Sequence, residues 1–108
     1  MELFTKRVID IIRAIPVGKV MTYGQIARCA GNPGGARQVA RILHSMSKKY
    51  KLPWHRVINA KGKISDHRGS IIQKIYLQDE GIVIIGQQIK VKEYLHEPND
   101  QDIEWQKC

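Results

Sequence analysis

Residues 32–35 read Asn32-Pro33-Gly34-Gly35, and no regular element can run through them. Proline lacks the amide hydrogen that a helix or strand interior needs, and paired glycines leave the backbone too free to hold either. The chain must turn there, and both flanks carry helical patterns. On the N-terminal side, Thr22-Tyr23-Gly24-Gln25 has capping-box spacing, in which the Thr22 hydroxyl and the Gln25 amide satisfy exposed backbone groups reciprocally. A short helix from about Tyr23 to Ala30 follows, with Gly31 placed to stop it. Beyond the turn, Ala36, Val39, Ala40, Leu43 and Met46 fall on one helical face, while Arg37, Gln38 and Arg41 point elsewhere. Two short helices joined by a tight glycine turn, the second opening with exposed Arg and Gln, form the pattern of a helix-turn-helix. Many helical proteins with no DNA role share that generic pattern.

The rest of the chain predicts a small domain around this pair. Phe4, Val8, Ile11, Ile12 and Ile15 recur at helical spacing until Pro16 and Gly18 end the pattern. The segment Val57 to Ile64 reads as a hairpin turning at Lys61-Gly62, resembling a wing. Ile71, Ile72, Ile75 and Tyr76 suggest another helix, closed near Glu80 by Gly81, and Ile82 to Ile85 with Gln88 to Val91 suggest short strands. The expected fold class is mainly α with a small β component: a winged-helix-like domain containing a helix-turn-helix. A chain of 108 residues supports one core, so residues 1–96 are read as the domain and residues 97–108 as a polar tail.

Charge then points to a partner. Between Ile11 and Ser65 there is no Asp or Glu, yet eleven Lys and Arg residues fall there, and the net charge of the whole chain is +8. A segment positive throughout repels itself unless a polyanion neutralises it, which makes nucleic acid the leading partner class. No segment combines a basic face with a broad aromatic one, which argues against a membrane surface. Lys6, Arg7 and Asp10 interrupt the apolar N-terminus, so no signal peptide is read. The expected location is the bacterial cytoplasm, near the nucleoid, or a eukaryotic nucleus. Cys29 and Cys108 lack metal-site spacing and fit a reducing compartment, and the four histidines are scattered, so no metal and no cofactor are expected.

Several ordered motifs carry a more specific signal. They are Ile15-Pro16-Val17-Gly18, Thr22-Tyr23-Gly24-Gln25-Ile26-Ala27, Gly31-Asn32-Pro33, Gly35-Ala36-Arg37-Gln38-Val39 and Pro53-Trp54-His55-Arg56-Val57. Together they resemble the DNA-binding domain of the 6-O-alkylguanine-DNA alkyltransferases, from roughly Phe4 to Ile85. In that family a Pro-Cys-His-Arg motif supplies the cysteine that accepts the alkyl group, and here Trp54 stands in its place. Transfer needs an attacking thiolate, which an indole cannot supply. Trp beside an intact His-Arg-Val resembles the alkyltransferase-like proteins, which bind the lesion without removing it. Cys29, within the predicted second helix, is read as a small packing residue rather than a substitute nucleophile.

The resemblance implies a minor-groove mode of duplex binding. Ala36 permits close approach to the backbone, and Arg37 fills the gap left by an extruded nucleotide. Gln38 shares the helix start and Arg41 contacts phosphate. Tyr23 helps drive flipping, and unstacking a base costs a few kcal/mol. The lesion pocket is expected to involve Tyr23, Trp54, His55, Arg56, Val57 and Arg68, the last in a loop that closes over the base. His55 and Glu80 match the pair that activates the lost cysteine, and Arg56 is expected to brace the pocket internally. The implied partner is double-stranded DNA containing 6-O-alkylguanine, bound by a monomer and passed to nucleotide excision repair proteins. A sequence-reading winged-helix regulator and a residual repair enzyme with another nucleophile are the alternatives. One departure stands out: the asparagine hinge expected after the second helix is replaced within Leu43-His44-Ser45-Met46-Ser47.

Overall fold

The computed structural model describes residues 1–64 and 68–98. It is mainly helical with two small sheets. Helix α1 spans Leu3–Arg13 and buries Val8, Ile9, Ile11 and Ile12. Gly18, at φ 83°, turns the chain into strand β1, Met21–Thr22. Helix α2, Tyr23–Cys29, opens on the expected capping box: the Gln25 amide donates to Thr22 Oγ1 at 3.0 Å and Gln25 Oε1 accepts from the Thr22 amide at 3.2 Å. Gly31 ends the turn after it at φ 97°, a conformation open to glycine at little cost.

Helix α3, Ala36–Met46, follows the Asn32–Gly35 turn and packs on α1 and α2. A Cβ on Gly35 would lie 2.9 Å from the Asn32 side chain and 3.0 Å from the Phe4 ring, so any larger residue would push both aside. The buried stripe of α3 runs through Val39 and Leu43, with Ile42 and Met46 packed beside them. Ala40, expected in that stripe, is instead exposed. Its small side chain floors an open cleft.

The hairpin expected from Val57 to Ile64 does not form. Strand β2, Val57–Ile58, pairs in parallel with β1, Met21 opposite Val57 and Thr22 opposite Ile58. Burial decides this, because Val57 and Ile58 are both interior and pair where the core already is. The turn itself is present, held by Asn59, whose Oδ1 accepts from the amides of Lys61 and Lys63 and whose Nδ2 donates to the Lys63 carbonyl. Gly62 sits at φ 69°, with Ile89 O only 2.6 Å from where a Cβ would be. The chain leaving this turn then bridges to the true hairpin, β3 (Ile84–Ile85) with β4 (Gln88–Ile89).

Helix α4 spans Arg68–Asp79. It starts earlier than the isoleucine pattern suggested, so the backbone of Arg68 opens a helix rather than lying in a loop; Asp66 and His67 of that loop lie outside the described residues. The short α5, Val91–Tyr94, is followed by a segment that docks back, His96 donating its amide to Val20 O and accepting from Gln25 Nε2 at 2.6 Å. Gln25 is thereby a buried polar residue with both ends of its amide used.

Two apolar clusters result. One gathers α1, α2, α3 and Val57; the other gathers Val20, Ile58, Ile64, Leu77, Ile82 and Ile89.

Candidate nucleic-acid interface and base cleft

Of the eleven cations between Ile11 and Ser65, ten are exposed and one, Arg56, is half-buried. The exposed set includes Arg28, Arg37, Arg41, Lys48, Lys49 and Lys51. Burial therefore spends one charge on structure and leaves the others as a field facing solvent. Arg37 is the second residue of α3, where the helix dipole disfavours a cation. Gln38 accepts a hydrogen bond from Asn32 Nδ2 at 3.2 Å, tying the helix start to the turn before it. Ala36 is partly covered and Arg41 is exposed one turn on.

The buried charge belongs to a tight bracket behind the surface. Arg56 Nε and Nη2 donate to the Glu80 carboxylate at 2.8 to 3.1 Å, and Nη1 donates to Ile15 O at 2.9 Å. The Gly18 amide donates to Glu80 Oε1 at 2.9 Å. His55 Nε2 lies 2.6 Å from Glu80 Oε2, and since an ionised carboxylate only accepts, the ring nitrogen is the donor. Burial alone would raise the Glu80 carboxyl, but the hydrogen bonds from Arg56, Gly18 and His55 with the Arg56 charge outweigh it and hold the group at about 2. This bracket clips the turn after α1 to the end of α4.

Trp54 stands on the outer side. Pro53 and the buried Leu52 lead into a single 3-10 turn, Trp54–Arg56, that sends consecutive side chains different ways. The Trp54 ring meets His55 at 6.1 Å and Tyr76 at 6.0 Å, and is only half-covered. With Tyr23, Ala40, Leu43, His44 and Ser47 it lines a cleft of about 370 Å³, within the range of small-molecule sites. Tyr23 also borders a second hollow of about 190 Å³ with Val57, Asn59, Ser70 and Gln73. The capping box explains its place, because Thr22 as N-cap sets Tyr23 at the first position of α2. Burial raises the Tyr23 phenol above its usual value, so the group is a neutral hydrogen-bond donor.

The expected pocket set thus divides. Tyr23, Trp54 and Val57 face these hollows, whereas Arg56 and His55 line neither and belong to the bracket. The side chain of Arg68 lies outside the described residues. Cys29 is buried in the first apolar cluster, as the packing role expected of it requires, and it lines neither hollow. Sequence reasoning missed Ala40, His44 and Ser47 as cleft residues, and Gln73, whose Nε2 donates to the carbonyls of His55 and Val57 at 3.1 Å. A glutamine amid isoleucines in α4 was the available signal for the last. The junction left open by the missing asparagine is a turn through Lys48–Lys51, with Lys51 at φ 52° and the Leu52 amide donating to Ser47 O.

A basic surface, a helix-turn-helix and a cleft beside its second helix define a DNA-binding domain of winged-helix type. Residues 3–82 match the DNA-binding domain of 6-O-methylguanine DNA methyltransferase, and the chain belongs to that family, in its alkyltransferase-like branch. It is 45% identical over 101 residues to a DNA base-flipping protein of Vibrio parahaemolyticus, covering 91% of this chain and 100% of that one. It is 40% identical to alkyltransferase-like protein 1 of Schizosaccharomyces pombe, covering 91% and 98%. The fold matches the crystal structure of S. pombe Atl1 in complex with damaged DNA containing O6-carboxymethylguanine, with a TM-score of 0.80, 39% identity and the same coverage of 91% and 98%.

Proposed function

We propose that this chain binds duplex DNA through its basic face, extrudes a 6-O-alkylguanine and holds it against Trp54 without transferring the alkyl group. The observation that carries this is the setting of Trp54: its ring is half-exposed, a cleft of about 370 Å³ lies beside it, and among the described residues no cysteine lines that cleft. An indole offers a flat surface to a purine and no ionisable sulfur. Alkyl transfer therefore has no nucleophile, and binding persists. The names of the relatives, a base-flipping protein and a protein bound to damaged DNA, support the same reading.

Arg37 enters the duplex from the minor groove and fills the space of the extruded nucleotide, and Arg41 contacts phosphate. Tyr23, a neutral phenol at the mouth of the cleft, donates to the strand being turned. Arg56, His55 and Glu80 brace the turn that carries Trp54. A protein that grips without repairing acts by persistence, so the bound lesion is handed to nucleotide excision repair by a single copy of the chain.

Competition between matched duplexes with and without one 6-O-methylguanine tests the reading. The lesion duplex should win, the alkyl group should remain on the base afterwards, and Arg37→Ala should weaken lesion binding more than undamaged binding. Indifference to the lesion alongside strong sequence preference would replace this with a transcriptional regulator. A covalent adduct detected by mass spectrometry would replace it with a transferase.

A further inference from the structure

We infer that a second cleft sharing Trp54 is an additional nucleic-acid site, which takes an unpaired and unmodified nucleotide, the base stacked on the Trp54–Tyr76 wall and the phosphate between Lys48 and Lys51. This cleft has a volume of about 450 Å³ and is lined by Ser47, Lys48, Lys51, Trp54, His55 and Tyr76, with Leu52 and Pro53 completing its floor. Tyr23 and Ala40 do not border it, so it is distinct from the base cleft, with which it shares Ser47 and the indole.

Three observations select the ligand. First, Trp54, His55 and Tyr76 form a closed set of ring contacts, 5.3 to 6.1 Å between centroids, and Tyr76 remains 46% exposed. His55 meets both larger rings edge to face and Trp54 and Tyr76 are tilted by 56°, so rings held in place and still open on one side offer a face to another flat ring. Second, Lys48 and Lys51 are exposed, and among the described residues no carboxylate lines the cleft. Glu80, which lies beside His55, is held by Arg56 and His55 and so does not cancel the lysines. Third, Lys51 holds φ 52°, a conformation glycine would adopt without strain. The turn thus keeps a charged side chain where a bare backbone would be easier.

A free phosphate would use the lysines and leave the rings idle, and an apolar peptide would do the reverse. A nucleotide uses both, and stacking is indifferent to base identity because every base has a π face. Such a site would engage a single-stranded flank or an unpaired end beside bound duplex. It rests on nucleic-acid binding alone and is independent of lesion capture in the Tyr23 cleft.

The test is fluorescence anisotropy of the full chain with a labelled, lesion-free thymidine oligomer of about eight nucleotides, run beside an undamaged and a 6-O-methylguanine duplex. Tyr76→Leu, and separately Lys48→Gln with Lys51→Gln, should weaken single-strand binding on the order of tenfold while leaving the lesion-to-undamaged duplex ratio unchanged. The paired lysine variant decides the matter if Tyr76→Leu fails to fold, since both lysines are exposed. Unchanged single-strand affinity, no single-strand binding by the parent, or equal losses on single strand and undamaged duplex would each overturn the site. Loss of lesion preference in the parent would instead count against the function proposed above and leave this measurement standing.

Discussion

Trp54 and Arg56 are two residues apart in one 3-10 turn, yet they live in opposite regimes. Arg56 is held by Glu80 and the Ile15 carbonyl through four hydrogen bonds. Trp54 packs on the first apolar cluster and meets two rings, and it fronts two clefts. A charge withdrawn from water must be paired, so the guanidinium and its carboxylate become architecture. The indole faces no such demand and can be left as surface. One short turn can therefore carry a paired, withdrawn charge and an open ring side by side.

Removing one half of the bracket should have the largest effect. Glu80→Ala leaves Arg56 partly buried without its anion and frees the Gly18 amide, at a cost of about 3 to 5 kcal/mol. Denaturant unfolding should show that loss, and a change under about 1 kcal/mol would mean the bracket is ornamental. Acid reaches the same contact from another direction. Because the folded Glu80 carboxyl lies at about 2 against an ordinary 4.5, its stabilisation is complete above the ordinary value and drains away as the pH falls toward 2. The melting midpoint of the parent should fall through that window, and Glu80→Gln, already lower at neutral pH, should fall less.

The sequence made the first half of this frame legible and the second half less so. The capping box, the stops at Gly18 and Gly31 and the buried stripe of α1 are local, and local chemistry survives folding. Val57 to Ile64 misled because its turn is local but its pairing is not: β2 finds Met21, some 36 residues away, rather than its own neighbour. Ile71, Ile72 and Ile75 pointed to a helix, which forms, but they are 41 to 53% exposed, while Leu77 of that helix is fully buried. Pattern marks a helix there without saying which face the rest of the chain will cover. At the site, Trp54 and Tyr23 were readable through resemblance. The small residues that leave the cleft open, Ala40 and Ser47, carry no motif of their own and emerge only from packing.

Trp54→Ala sharpens the comparison from its other side. Truncating the ring should lower lesion preference by about 1 to 3 kcal/mol, the worth of one stacked base, in the matched-duplex competition. Its effect on unfolding should be smaller than that of Glu80→Ala, since the ring is half-exposed and supports no buried charge. If instead the two variants lose equal stability and lesion preference survives, the indole belongs with the frame and the division between the regimes fails.

The smallest expected effect asks whether the frame reaches as far as Tyr23. Thr22→Ala removes the hydroxyl that accepts from the Gln25 amide, and an N-cap of this kind is worth about 1 kcal/mol. Gln25 also donates to the His96 carbonyl, so fraying at the cap loosens both the start of α2 and the segment docked on it. Tyr23, at the first helical position, would sample more than one orientation. A modest fall in melting midpoint with a weaker lesion preference, undamaged duplex binding unchanged, would show that positioning of the phenol depends on the cap. Equal weakening toward both duplexes would place the effect in the helix as a whole and leave Tyr23 a bystander.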